Sequence, residues 1–318
     1  MGSTATATAT VTVEQELELL RRPLLAYCYR MLGSLTEAED AVQEAMVRAW
    51  RSSGRVRDRD GLRPWMYRIA TNVCIDALND RKRRALPMDL TAASDPHGDI
   101  GPALPESTWV QPFPSGVAAD PSEEAVSSES VRLAFIAALQ YLQPRQRAVL
   151  ILRDVLCWKA AEVAELLDTS VDAVNSSLRR ARAVLARAHA ETPAAEPIDT
   201  ALLQDYVSAF QRFDIDGIVA LLHHDVVIAM PPHAFWLRGR ERFATWMRVS
   251  DVGCLRKRMV RTEANGCPAV AIYQERGGRY LATAIQVLEV HDGRIAEIHT
   301  FLQAELFPHF GLPLEMIG

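Results

Sequence analysis

From Leu86 to Val131 the chain carries seven prolines (Pro87, Pro96, Pro102, Pro105, Pro112, Pro114 and Pro121), many aspartates and glutamates, and no lysine or arginine. Proline fixes φ and removes a backbone donor. An acidic, proline-rich stretch of this kind cannot bury enough apolar surface to offset its chain entropy. The feature predicts an acidic tether over 86–130, with separately cored blocks on either side. A second break, Glu191 to Pro197 (ETPAAEP), stops a long helical pattern with two prolines. With 318 residues there is room for two or three domains. The expected order is a disordered tail over 1–13, a helical block over 14–85, the tether, a second helical block over 131–190, a linker over 191–197, and a third block over 198–318.

An apolar fraction of 49% and a charged fraction of 24% are ordinary for globular chains and exclude wholesale disorder. The net charge of -5 excludes a uniformly basic coat but averages over local faces of either sign. The five cysteines (Cys28, Cys74, Cys157, Cys254 and Cys267) show no metal-ligand spacing and are odd in number. They are expected as reduced, packed thiols in a cytoplasmic protein, with no metal site and no cofactor. No apolar run approaches the roughly 18 residues of a membrane span, and the start MGSTATATAT lacks the features of a signal peptide. Gly2 and Thr6 fit the loose myristoylation pattern, as does much low-complexity sequence.

In the first block, Ala38, Ala41, Val42, Ala45, Met46, Ala49 and Trp50 recur at helical spacing. Asp40, Gln43 and Glu44, at i, i+3 and i+4, share the opposite face and suit a basic partner as well as they suit plain solvation. After a loop from Arg55 to Gly61, Pro64 begins a second helix with Trp65 and Ile69 inside and Arg81, Lys82, Arg83 and Arg84 clustered at its end. Those cations complement a helix dipole, while Trp65 and Tyr67 beside Asn72 would equally stack on unpaired bases.

The second block reads KAAEVAELLDTSVDAVNSSLRRARAVLAR between Lys159 and Arg187: a short helix, a turn at Asp168-Thr169, and a longer helix after the N-cap candidate Ser170. Apolar stripes on both helices leave Asp172, Asn175, Ser176, Arg179, Arg180 and Arg182 facing solvent. This is a helix-turn-helix pattern whose second helix suits the major groove, although a solvated α-hairpin has the same stripes. The third block opens with an amphipathic helix and turns to strand-like runs at 226–230, 269–274, 280–290 and 295–301, split by Gly277-Gly278 and Asp292-Gly293.

Taken together, RMLGSLTEAEDAVQEAMVRAW, LRPWMYRIATNVCIDALNDRKRR and LQPRQRAVLILRDVLCWKAAEVAELLDTSVDAVNSSLRRARAVL resemble regions 2 and 4 of the bacterial extracytoplasmic-function sigma factors of the sigma-70 family. The third block, with MPPHAFWLRG, resembles the SnoaL-like branch of the nuclear transport factor 2 fold, as in sigma factors of the SigJ/SigG-like type. The fold implied is multidomain: two all-α sigma domains and an α+β cone. The resemblance implies that core RNA polymerase docks on Asp40, Gln43 and Glu44. It also implies that Asn72 and the 57–61 loop with Arg57 and Arg59 help capture a flipped minus-10 base, and that Asn175, Ser176, Arg179 and Arg180 read the minus-35 element of promoter DNA. Trp65, Arg81 to Arg84 and Arg182 complete the expected DNA surface. Asn175-Ser176-Ser177 stands where many relatives carry Lys-Ser-Arg, which leaves the detailed minus-35 contacts open. The implied role for the acidic tether is to occupy polymerase channels.

Met230, His233, Trp236 and His299 are the candidate lining of an apolar cup that leaves a place for a small ligand. Asp225, His233, Trp236 and His299 are the candidates for chemistry, but they lack diagnostic spacing, and His299 fits a buried structural role better than a catalytic one. The expectation is therefore a non-enzymatic transcription initiation factor whose C-terminal domain modulates it. A SnoaL-like isomerase or hydrolase fused to DNA-binding helices is the alternative.

Overall fold

The computed structural model describes residues 13–52, 61–79, 82–115, 130–188, 199–250 and 256–317. Residues 1–12 of the expected tail, Arg57, Arg59, Arg81, Cys254 and the 191–197 linker lie outside them. Helices α1 (Val13–Leu32), α2 (Leu35–Ser52) and α3 (Leu62–Leu78) form the first bundle. Helices α4 (Leu133–Leu139), α5 (Pro144–Leu150), α6 (Ala160–Leu166) and α7 (Val171–Ala188) form the second, with a π turn at Ile151–Val155 extending α5. Between α6 and α7, Asp168 takes φ 52°, the left-handed conformation usually supplied by glycine, and Ser170 Oγ accepts from Ala173 N at 3.1 Å as the cap of α7.

The third block packs α8 (Thr200–Gln211), α9 (Ile215–Leu221) and α10 (Arg240–Val249) on one face of a seven-stranded sheet. Its strands are β1 (Leu222–Ala229), β2 (Trp236–Arg238), β3 (Lys257–Ala264), β4 (Cys267–Arg276), β5 (Arg279–His291), β6 (Arg294–Phe301) and β7 (Glu315–Ile317). The order is β2-β1-β6-β5-β4-β3, with β1 parallel to β6 and β7 paired to β5. Strand alternation sends the two faces into two different cores. Val270, Ile272, Ala284, Leu288 and Ile298 point inward, toward the helices of their own domain. Ala271, Tyr273, Ile285, Val287 and Phe301 point outward and join one continuous core with the sigma-like helices.

That shared core overturns the tether. Trp109, Val110 and Phe113 are buried in or against it, and the described part of the proline-rich segment, 86–115, threads through the molecule rather than leaving it. Partners from distant parts of the chain hold the segment. Gln111 Oε1 accepts from Leu35 N at 2.8 Å and from Ser34 Oγ at 2.6 Å, filling the open donors at the start of α2. Ser94 N donates to Trp236 O at 2.8 Å and Leu104 N to Pro232 O at 2.8 Å, which fastens the segment to the third block. Composition misled because the apolar surface that holds this segment belongs to other parts of the chain, which no local window contains.

Candidate functional site: two exposed helix faces and the seam that joins the domains

Asp40, Gln43 and Glu44 are exposed on α2, opposite the buried Ala38, Ala41, Val42 and Ala45, and Glu44 pairs with Arg48 at 2.7 Å. On α7, Val174, Leu178 and Ala181 are buried, while Asn175, Arg179 and Arg180 are exposed and Ser176 is half-buried, accepting from Arg180 at 3.2 Å. Arg182 is exposed but engaged, forming two bonds to Asp154 at 2.7 and 2.8 Å. Asn72 is exposed on α3 and Trp65 is half-buried.

The basic cluster after α3 needs correction. The helix ends at Leu78, so Lys82 to Arg84 do not extend it. Arg84 is 6% exposed, pairs with Glu37 at 2.9 Å and donates to Glu106 O and Trp109 O, which makes it a strut between α2 and the threaded segment instead of a DNA contact. Lys82 and Arg83 remain exposed, with the Arg83 guanidinium 3.7 Å from the centroid of the Tyr141 ring.

The two sigma-like bundles touch. Tyr67 of α3 and Trp158, before α6, lie with ring centroids 5.2 Å apart. The buried Arg147 of α5 donates to Met31 O, Gln140 Oε1 and Leu142 O. Burial lowers its pKa to about 10, still well above neutrality, so it crosses the interface as a cation whose two terminal nitrogens donate to carbonyls. Asn265, at the β3–β4 turn, joins the third block to both bundles. Its Nδ2 donates to Tyr29 Oη at 2.8 Å and to Val131 O at 2.5 Å, its Oδ1 accepts from Phe113 N at 2.8 Å, and its own N donates to Phe113 O at 2.8 Å. It is fully buried, so these bonds lie out of water's reach.

The cup behind the sheet has a volume of about 190 Å³. Met230 lines it with Phe210, Phe243, Trp246 and Met247. Three expected lining residues do not, because they are spent elsewhere. His233 Nδ1 meets Gly101 O at 2.7 Å, Trp236 Nε1 donates to Thr91 O at 3.0 Å, and His299 lies on the outer face of β6. Asp225 is exposed beside His224, away from the cup. Of the cysteines, Cys28, Cys74 and Cys267 are buried, whereas Cys157 is exposed, at a positive-φ bend rather than in a core.

On that outer face the structure assembles a cluster that the sequence reading did not pair. Glu289 of β5 lies directly across from Glu297 of β6, and His299 Nε2 is 2.8 Å from Glu297 Oε2. Burial, reinforced by Glu297, pushes the Glu289 carboxyl up to about 7. Burial alone would lower the His299 pKa, but the hydrogen bond and charge of Glu297 outweigh it and leave His299 raised. The available signal was the Glu-x-His alternation on one strand, which gains meaning only once the register brings Glu289 opposite.

Models of known families match in chain order: sigma-70 region 2 over 17–84, sigma-70 region 4 over 132–185, and a SnoaL-like domain over 203–298. The ECF RNA polymerase sigma factor SigG of Mycobacterium tuberculosis is 43% identical over 93% of this chain and 82% of its own. The chain belongs to the ECF RNA polymerase sigma factors. This sigma factor is also 33% identical to SigJ of M. tuberculosis, over 66% of this chain and 62% of that one. The crystal structure of M. tuberculosis SigJ has the same fold, with a TM-score of 0.62 over 95% of this chain and 99% of that chain, at 24% identity. As an ECF sigma factor the protein binds core RNA polymerase and directs transcription initiation at promoters. None of its described helices is long and apolar enough to cross a membrane.

Proposed function

We propose that the C-terminal domain of this sigma factor is a non-enzymatic regulator that holds regions 2 and 4 together in a closed form, and that polymerase binding opens it in the cytoplasm. The observation that carries this reading is Asn265, whose side chain and backbone bond region 2, the threaded segment and the entry to region 4 at once. Minus-10 and minus-35 elements lie ~25 base pairs apart, or ~85 Å at 3.4 Å per base pair. Bundles in ring contact at Tyr67 and Trp158 do not span that distance, so the closed form must open to read both. Asp40, Gln43 and Glu44 are the proposed polymerase contacts. Asn72, Trp65, Lys82 and Arg83, with Arg57, Arg59 and Arg81 beyond the described residues, are the proposed minus-10 surface, and Asn175, Ser176, Arg179 and Arg180 the proposed minus-35 surface.

Against an enzymatic role, the described residues lining the cup include no Asp, Glu or His, and Lys257 is the one ionisable group among them. A small apolar ligand in the cup is compatible with regulation if it prefers one of the two forms. The test is energy transfer between dyes at exposed Leu19 of α1 and Ala183 of α7, in a Cys157→Ser background. Transfer should fall when core polymerase and promoter are added. High transfer retained in a transcribing complex would refute the closed-to-open reading.

A further inference from the structure

Glu289, Glu297 and His299 place two carboxylate oxygens and an imidazole nitrogen within 4.8 Å of one another. We propose that this trio binds one divalent transition-metal ion of the Zn²⁺ class, at the seam between the C-terminal sheet and region 4. The strand pairing itself creates the need for a cation: Glu289 and Glu297 are direct cross-strand partners, an arrangement that like charges disfavour, and Glu297 and His299 share one face at i and i+2. Glu289 is 2% exposed and its Oε1 has no hydrogen-bond partner; His299 is 1% exposed and its Nδ1 has none. Arg132, at the N-terminal end of α4, acts on Glu289 through its charge, but Oε1 still receives no bond.

The donor set points to the metal class. Imidazole with carboxylates suits Zn²⁺ and its first-row neighbours, whereas Ca²⁺ and Mg²⁺ take oxygen ligands. Metal–ligand bonds of about 2.0 to 2.2 Å place tetrahedral donors roughly 3.4 Å apart. Glu297 and His299 are already at 2.8 Å, so a small movement of Glu289 and a slight spreading of the pair complete three corners. Glu297 also lines a cleft of about 840 Å³ between region 4, the threaded segment and the sheet, which gives the ion a path in and leaves its fourth position open. A bound dication would neutralise the charge that Glu289 offers to Arg132, so occupancy bears on how region 4 seats against the sheet.

The experiment uses the full chain, stripped with a chelator, titrated calorimetrically with Zn²⁺, and analysed for metal after desalting. One equivalent is expected. Glu289→Gln and His299→Gln should each weaken binding at least tenfold, while His223→Ala with His224→Ala, a half-buried and an exposed histidine on β1, should not. Loading with Co²⁺ should give visible bands of four- or five-coordinate nitrogen and oxygen ligation without a thiolate charge-transfer band. No stoichiometric uptake overturns the proposal, as does uptake that survives both cluster variants, depends on His223 and His224, or shows thiolate ligation. If circular dichroism shows that a cluster variant does not fold, Glu297→Gln and the Co²⁺ spectrum of the unaltered protein decide the matter by the same criteria.

Discussion

Asn265→Gly removes one side chain and leaves its turn intact. Asn265 and Gly266 have φ of 56° and 69°, the paired positive values of a tight hairpin that two glycines adopt as readily. What disappears is the bonding between domains: the donations to Tyr29 Oη and Val131 O, and acceptance from Phe113 N. Tyr29 Oη keeps its bond to Gln111 O, so its loss is small. Phe113 N and Val131 O are stranded in a buried seam, at about 1 to 3 kcal/mol each. Allowing for partial relaxation, the closed form loses about 2 to 4 kcal/mol relative to the open one, a factor of roughly 30 to 1,000 in their ratio. Because only the open form engages polymerase, apparent affinity should rise by the same factor until the open form predominates. The assay is competition for labelled core polymerase, read alongside run-off transcription and the Leu19–Ala183 energy transfer of the free protein. Unchanged affinity, transcription and transfer, in a variant with normal circular dichroism, would refute the argument that Asn265 sets the closed state.

Asp40→Ala with Glu44→Ala should weaken core-polymerase binding in a pull-down without changing circular dichroism, since both lie opposite the buried stripe of α2. Charged contacts that become desolvated at such an interface are worth a few kcal/mol. Asn175→Ala and Arg179→Ala should each cost about 1 to 3 kcal/mol of discrimination at promoters carrying the preferred minus-35 element, and equal losses on all DNA would instead mark phosphate contacts. Arg84→Ala should lower stability by about 1 to 3 kcal/mol in urea unfolding, because it removes the ion pair to Glu37 and the bond to the buried Trp109 O, while Glu106 O keeps its bond from Trp109 N. A variant with native stability and a selective DNA-binding defect would show that Arg84 serves DNA after all.

Where one element meets water on one side and its own neighbour on the other, the sequence was a sufficient guide. The stripes of α2 and α7, Ser170 as a cap, Asp168 as the left-handed turn residue, and the strands bounded by Gly277-Gly278 and Asp292-Gly293 are all local arrangements, and the chain carries their signals within a turn or two. It failed where a residue's partner comes from another domain. Arg84 has the composition of a DNA contact until Glu37 and the carbonyls of 106 and 109 are placed around it. Trp236 has the composition of a cup wall until Thr91 arrives to take its indole proton. Strands β2 and β3 escaped notice for a related reason: β2 is three residues long, and β3, KRMVRTEA, carries four charged residues at an edge of the sheet where charge is tolerated.

Ile100, from the threaded segment, forms part of the wall of the cup. The C-terminal unit is therefore not a detachable cassette, although its boundaries in the chain suggest one. Excised, it would lose a side of its cavity and bare the outer face of its sheet, including Val287 and Phe301, now buried in the shared core. A sigma factor cut off after region 4 would in turn leave the backbone of buried Phe113 without its two bonds to Asn265. Deletion thus trades regulation for exposed apolar surface, and a change in its transcription mixes the two effects. Grafting the domain onto another sigma factor should succeed only when the 86–115 segment travels with it, so these two stretches form one inheritable unit.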